Sequence, residues 1–372
     1  MRMYDEKEAK KRVGIGPPAS KPSIIMATGG LGVRGAGVSI KVFSTCPQSK
    51  DFDRGSYMRA VADVARWSEA AGCEGILVYT DNGIVDPWLT SQVILQHTER
   101  LCPLVAIQPV YLHPYAAAKM VATLAFMHGR RVHLNMLAGG FRNDLLALGD
   151  PTPHDERYAR TIEYTRIMTG LLSSDGPVTL DGAYYKVTNL RLVPSVPPEL
   201  MPEVLISGSS PAGLAAAATL GATPVKYPRP PGEEEPTTGD GGGIRVGIIA
   251  RERADEAWWV AHERFPPDRR GQITHKLAMS VSDSHWHHQL SQRDAAPAET
   301  DAETDSDEPS PYWLEPFQNY KTFCPYLVGS YERVAALLTR YMKLGTTTFI
   351  LDIPACREEL EHIGTVFALA GR

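Results

Sequence analysis

One local unit recurs along this chain: a short apolar run, then a stretch with helical spacing, then the next apolar run. Strands are read at Val38–Ser44, Gly75–Tyr79, Leu104–Gln108, Val132–Leu137, Val204–Ser207, Thr223–Tyr227, Ile244–Ala250 and Thr347–Leu351. Helical spacing follows at Tyr57–Ala71, Trp88–Gln96, Ala116–Met127, His154–Leu172, Pro211–Leu220, Ala254–His262 and Tyr331–Leu344. Strands apolar on both faces, each leading into a helix, require a parallel sheet covered by helices. About eight such units close on themselves more readily than they spread, so the expected fold is α/β, a (β/α)8 TIM barrel with loop insertions. In such a barrel the chemistry belongs at the C-terminal ends of the strands.

The rest of the chain fits around this unit. Residues 1–37 read as a polar leader and 38–372 as one barrel domain; 372 residues is within the range of a single α/β barrel. Two stretches break the rhythm and are expected to be mobile, or to serve as lids: Pro228–Gly243, rich in Pro, Gly and Glu, and the acidic Ser291–Pro311. The second accounts for more than the whole net charge of −5. Without it the chain is nearly neutral, so neither nucleic acid nor a membrane surface is an expected partner. Five scattered cysteines read as reduced thiols, and the N-terminus lacks a signal-peptide core, so a cytoplasmic protein is expected. No Cys or His pair has zinc spacing, and no metal is expected. The cluster at His285, His287 and His288 reads as a polar helix face.

Two segments carry chemistry. In R-V-H-L-N-M-L-A-G-G a strand holding Asn135 runs into the flexible turn Ala138-Gly139-Gly140. Next comes H-D-E-R-Y, where His154 and Tyr158 share one helical face. In V-L-I-S-G-S-S-P a strand opens through Gly208 into Ser209 and Ser210 at a helix N-terminus. Free N–H groups and hydroxyls there suit a phosphate, and they equally suit ordinary N-capping by serine. His154 likewise reads either as a ligand contact or as a neighbour of the helix start.

With A-G-C-E-G-I-L-V-Y-T-D, A-A-K-M-V-A-T-L, the Val178–Val187 hairpin, A-R-E-R-A-D-E-A-W and Y-L-V-G-S-Y-E-R-V-A in the same order, the chain resembles the bacterial luciferase-like flavin monooxygenases, most closely the alkanesulfonate monooxygenase branch. The resemblance runs from about Val38 to Ala368. It implies a barrel that binds reduced FMN supplied by a separate NAD(P)H:flavin reductase and uses O2 to insert one oxygen atom into a small organic substrate. No G-x-G-x-x-G follows a strand, so no second flavin or nicotinamide module is read. Family flavin contacts fall on Asn135, Ala138 and Gly139 beside the ring, His154 and Tyr158 toward ribityl and phosphate, and Gly208, Ser209 and Ser210 at the phosphate. The resemblance also implies a homodimer or homotetramer. The rival readings are an F420-dependent oxidoreductase on the same fold and a flavin-binding protein without turnover.

The substrate side departs from the sulfonate branch. The first-strand histidine is replaced within S-T-C-P-Q by Cys46 or Pro47, and the second-strand cysteine by Ile84. The late-loop arginine aligns near Tyr320 or Lys321, and the closing Tyr-Pro-His run becomes D-I-P-A-C-R with Cys356. The arginine after the seventh strand is either Arg245 or Arg251. A sulfonate needs fixed cations, so a simple alkanesulfonate is disfavoured and a specialised, natural-product-type substrate is expected. The remaining pocket candidates are Asp81 and Asn82, His113 and Tyr227, with Lys226 as a possible anion contact; Asp81 suits an amine or merely caps its loop.

Overall fold

The computed structural model describes residues 31, 34–35, 38–173, 176–237, 241–280, 282, 290–291 and 308–371. Its frame is β1 (Lys41–Thr45), α1 (Tyr57–Ala70), β2 (Gly75–Val78), α2 (Pro87–His97), β3 (Cys102–Ile107), α3 (Pro114–His128), β4 (His133–Met136), α4 (His154–Ser173), β5 (Val204–Ser207), α5 (Pro211–Leu220), β6 (Thr223–Lys226), β7 (Gly242–Arg251), α6 (Ala254–Arg264), α7 (Tyr331–Lys343), β8 (Thr346–Leu351) and α8 (Arg357–Ala370). Neighbouring strands pair in parallel in the order β6-β5-β4-β3-β2-β1-β8-β7, and β6 pairs with β7 through Val225↔Gly243 and Lys226↔Ile244. The ring therefore closes, and all eight barrel strands fall where the apolar runs place them.

Alternation along the strands sorts side chains into two layers. Phe43, Leu77, Leu104, Ala106, Leu205, Val225 and Ile350 fill the barrel interior as one cluster. Val42, Ile76, Val78, Ile244, Val246 and Ile248 face the helices instead, in the larger cluster that also holds Leu31. Thus part of the expected leader belongs to the core: Leu31 is 2% exposed and its N–H donates to the Ala71 carbonyl at 2.9 Å.

Helix starts follow local chemistry. Asp86 accepts from the N–H groups of Trp88 and Leu89, His113 from Tyr115, Ser210 from Gly213 and Ser330 from Arg333, while Pro87, Pro114 and Pro211 open their helices at N1.

Two features lie outside the simple repeat. Among the described residues no helix joins β6 to β7. The Pro-rich return segment instead runs down the outside of the barrel against α7: Tyr341 donates to the Arg229 carbonyl at 2.6 Å, and Thr237 N–H donates to the Leu344 carbonyl at 2.8 Å. Arg340 pairs with Glu234. Its described part is therefore a wall of the barrel's outer layer, away from the mouth. The expected loop 291–311 falls almost wholly outside the described residues, as do His285, His287 and His288. The second feature is an added strand, Tyr326–Ser330, which pairs in parallel with the second half of β7. A Cβ on Gly247 would overlap the Tyr326 ring, so this packing depends on glycine there.

Candidate active site

A cavity of about 550 Å³ opens at the C-terminal ends of the strands, a volume ordinary for a small-molecule site. Leu77, Ala106, Val225 and Ile350 from the interior layer line it together with Tyr79, Gln108, Asn135 and Arg245.

One wall is built from β4, α4 and the turn after β5. Asn135 is buried, and its Oδ1 accepts from Ser207 Oγ at 2.8 Å, which fixes the amide's orientation toward the cavity. Past the strand end, Gly139 takes φ +97°, a left-handed value that favours glycine. Its carbonyl accepts from Arg157 at 2.9 Å, so the small-residue turn is clamped to α4. Asp150 braces the same helix through a 2.6 Å pair with Arg160. Tyr158 is 7% exposed and lies edge-on to His154, with ring centroids 5.3 Å apart. Burial raises the Tyr158 hydroxyl above its ordinary pKa, with Ser210 hydrogen-bonding it in the opposite sense, so it is a neutral donor near pH 7. A Cβ on Gly208 would overlap the Tyr158 hydroxyl. The tyrosine from α4 and the G-S-S turn after β5 thus meet because position 208 lacks a side chain.

All eight residues read from the sequence as flavin contacts, Asn135, Ala138, Gly139, His154, Tyr158, Gly208, Ser209 and Ser210, line this one cavity. Ser210 also accepts from the Gly213 N–H as N-cap of α5, so the capping reading of that serine holds while its side chain still borders the cavity. Small residues at 138, 139 and 208, a fixed amide and a helix N-terminus with two hydroxyls fit a planar ring system with a phosphate tail.

The substrate candidates divide. Asp81 and Tyr227 line the cavity, while Cys46, Asn82, His113 and Cys356 do not. Cys46 shares the outward parity of Val42 and is 1% exposed within the helix-facing core, where burial pushes its thiol pKa up. Asn82 is turned along the rim, donating to the Asp144 carbonyl and accepting from Tyr111 at 2.6 Å. His113 is spent as the N-cap of α3, and the Cys356 thiol lies against Glu358 and Glu359 at the start of α8. Lys226, the possible anion contact, also lines the cavity and lies near enough to the outer segment for Glu235 and Arg229 to act on it.

The structure decides between the two arginines. Arg251 is buried in an ion pair with Glu359 of α8. Arg245 lies on the lining, its guanidinium 4.7 Å above the Tyr79 ring and 3.7 Å from Asp352, which in turn accepts from Tyr326 at 2.8 Å. Residues the sequence reading passed over include Ser207, Tyr79, Phe323, Asp144 and Lys50; strand parity could have found the first two. Tyr320, flagged there as a stand-in for a family arginine, does line the cavity and adopts φ +57°. Lys321 instead pairs with Asp268 at 2.6 Å. At the rim, burial and then the neighbouring Asp81 raise the Asp144 carboxyl.

Among the described residues one group could be taken for a metal site, Glu74, Cys102 and His133, at the opposite end of the barrel. His133 Nδ1 accepts from the Glu203 N–H at 3.4 Å, so Nε2 carries the ring proton and faces Glu74 at 3.8 Å. That tautomer offers no lone pair to a cation.

Residues 38–234 match the family model described as luciferase-like monooxygenase. A curated relative from Niallia circulans, 4-(gamma-L-glutamylamino)butanoyl-[BtrI acyl-carrier protein] monooxygenase BtrO, is 34% identical over 318 residues, covering 83% of this chain and 91% of the relative. Among solved structures, riboflavin lyase RcaE with modified FMN and riboflavin superposes with TM-score 0.64 at 14% identity, covering 87% of this chain and 90% of that one. An F420-dependent secondary alcohol dehydrogenase with an F420–acetone adduct gives 0.60 at 15%, covering 89% and 99%. At such identities these two establish the fold alone.

Proposed function

The chain belongs to the luciferase-like monooxygenase family, and from that premise we propose that it is a reduced-FMN-dependent, two-component monooxygenase acting on an acyl group carried as a thioester on an acyl carrier protein. FMN, delivered by a separate reductase, would lie with its ring on Asn135, Ala138 and Gly139 and its phosphate at Tyr158, Ser209 and Ser210. The observation that carries this reading is the meeting of Tyr158 with the Gly208–Ser210 turn, two distant segments converging on one tail-binding corner. Reduced FMN supplies the activation of O2 and the transfer of one oxygen atom. The protein's own contribution is to fix the ring edge through the Ser207-held amide of Asn135, donate neutral hydrogen bonds to the phosphate and surround the reacting face with buried side chains.

The carrier-bound acyl substrate follows the 34%-identical relative. A simple alkanesulfonate is disfavoured because the sulfonate branch's first-strand histidine, late-loop arginine and closing histidine are replaced here; the lining cations are Lys50, Lys226 and Arg245, the last already faced by Asp352.

Anaerobic titration tests the cofactor. Reduced FMN should bind and reduced F420 should not, and Tyr158→Phe with Ser209→Ala should weaken FMN by about 2–4 kcal/mol, each lost bond to a charged oxygen being worth about 1.5–3 kcal/mol at most. Preferential binding of F420, or unchanged FMN affinity in the double variant, would remove the assignment.

A further inference from the structure

The helix Arg269–Ser280 borders the cavity mouth: Ala278 lines the cavity, and just beyond the helix Ser282 pairs with Phe141. His275 anchors its inner side against Phe317, with ring centroids 4.7 Å apart. Its outer side is unusual for a soluble surface. Ile273 is 56% and Leu277 66% exposed, one helical turn apart, and Arg269, Arg270 and Lys276 flank them. At about 100° per residue these five side chains fall within roughly a third of the helix circumference. The helix carries three cations and no acidic residue. An apolar centre with a one-sign rim, beside an active-site entrance, has the composition of a docking site for a protein of opposite charge.

We infer that the Arg269–Ser280 helix is the docking surface for the acyl carrier protein that brings the substrate to the cavity. The inference rests on the proposed carrier-bound substrate and adds where that partner sits. A carrier protein suspends its acyl group from a phosphopantetheine arm whose phosphodiester is necessarily anionic at neutral pH. The arm must enter where the cavity opens, so the phosphodiester and the acidic surface around its attachment point come to rest at the rim. The side of the rim formed by Asp81 and Asp144 repels them, whereas Arg269, Arg270 and Lys276 attract them. Ile273 and Leu277 supply the desolvated centre.

The test compares the 4-(γ-L-glutamylamino)butanoyl group on a holo acyl carrier protein with the same acyl group on N-acetylcysteamine. The variants are Arg269→Glu/Arg270→Glu/Lys276→Glu and, separately, Ile273→Ser/Leu277→Ser. All five side chains are exposed, so folding is retained. Each variant should raise KM for the carrier-bound substrate about tenfold or more, leaving kcat and the small thioester unaffected, and the charge effect should shrink as salt rises. Unchanged KM for the carrier-bound substrate would overturn the inference while leaving the monooxygenase reading intact. If neither thioester is oxidised, binding of holo carrier protein measured by fluorescence anisotropy still decides the surface: variant-sensitive binding upholds it, variant-insensitive binding refutes it. Two other occupants would also refute it. One is a second copy of this chain, seen as an oligomer lost in the variants together with activity on both thioesters. The other is a membrane, seen as vesicle binding lost without any change in carrier kinetics.

Discussion

Gly208 is where the cofactor corner depends on the absence of a side chain. Gly208→Ala would push Tyr158 off its position, and FMN affinity should fall by about 1–3 kcal/mol, the usual cost of overpacking a fitted contact. Fluorescence quenching of FMN by the purified variant measures it. The two arginines of β7 give a second contrast. Arg251→Met leaves Glu359 buried without its partner and should cost about 3–5 kcal/mol in urea unfolding, with flavin affinity unchanged. Arg245→Met should lower turnover far more than stability, because its guanidinium stands over Tyr79 on the cavity lining. At this scale the eight residues proposed as cofactor contacts could be placed in one cavity from the sequence, because strand ends and glycine turns announce themselves. The substrate side was less legible. Cys46 and Cys356 sit at strand ends in the sequence, yet one residue of parity sends the first into the core, and a helix start claims the second. Tyr320 and Phe323 come from a distant segment that only folding brings to the mouth.

Among the elements, the eight barrel strands could be read because burial on both faces leaves continuous apolar runs, the clearest signal a strand can give. Tyr326–Ser330 lies outside the eight-unit repeat that the apolar runs define, and its pairing relies on Gly247 across the sheet. The return from β6 to β7 misled for another reason: low hydrophobicity suggests mobility, yet the segment's polar groups are bonded to α7. Removing one of those bonds with Tyr341→Phe should cost about 0.5–1.5 kcal/mol by chemical denaturation. No loss at all would mean that the segment does not brace α7.

For the whole molecule, acid stability has an identifiable contributor. Burial pushes the Asp150 carboxyl up, but bonds from Arg160 and Thr152 outweigh it and hold the group below its ordinary value. A depressed folded-state pKa stabilises the fold above the unfolded carboxylate value, near pH 4, and that stabilisation is lost as pH falls through the depressed value. Asp150→Asn should therefore lower stability at pH 7 and flatten its acid dependence below about pH 4, as urea midpoints across that range would reveal. Because Asp150 braces α4 and with it Tyr158, the same variant should also weaken FMN binding. The central claim, oxygen insertion at the mouth of this barrel, is tested most directly by turnover with 18O2. With reduced FMN and the carrier-bound 4-(γ-L-glutamylamino)butanoyl thioester, mass spectrometry should find one 18O atom in the product. Turnover that proceeds without O2, or a product free of 18O, would contradict it.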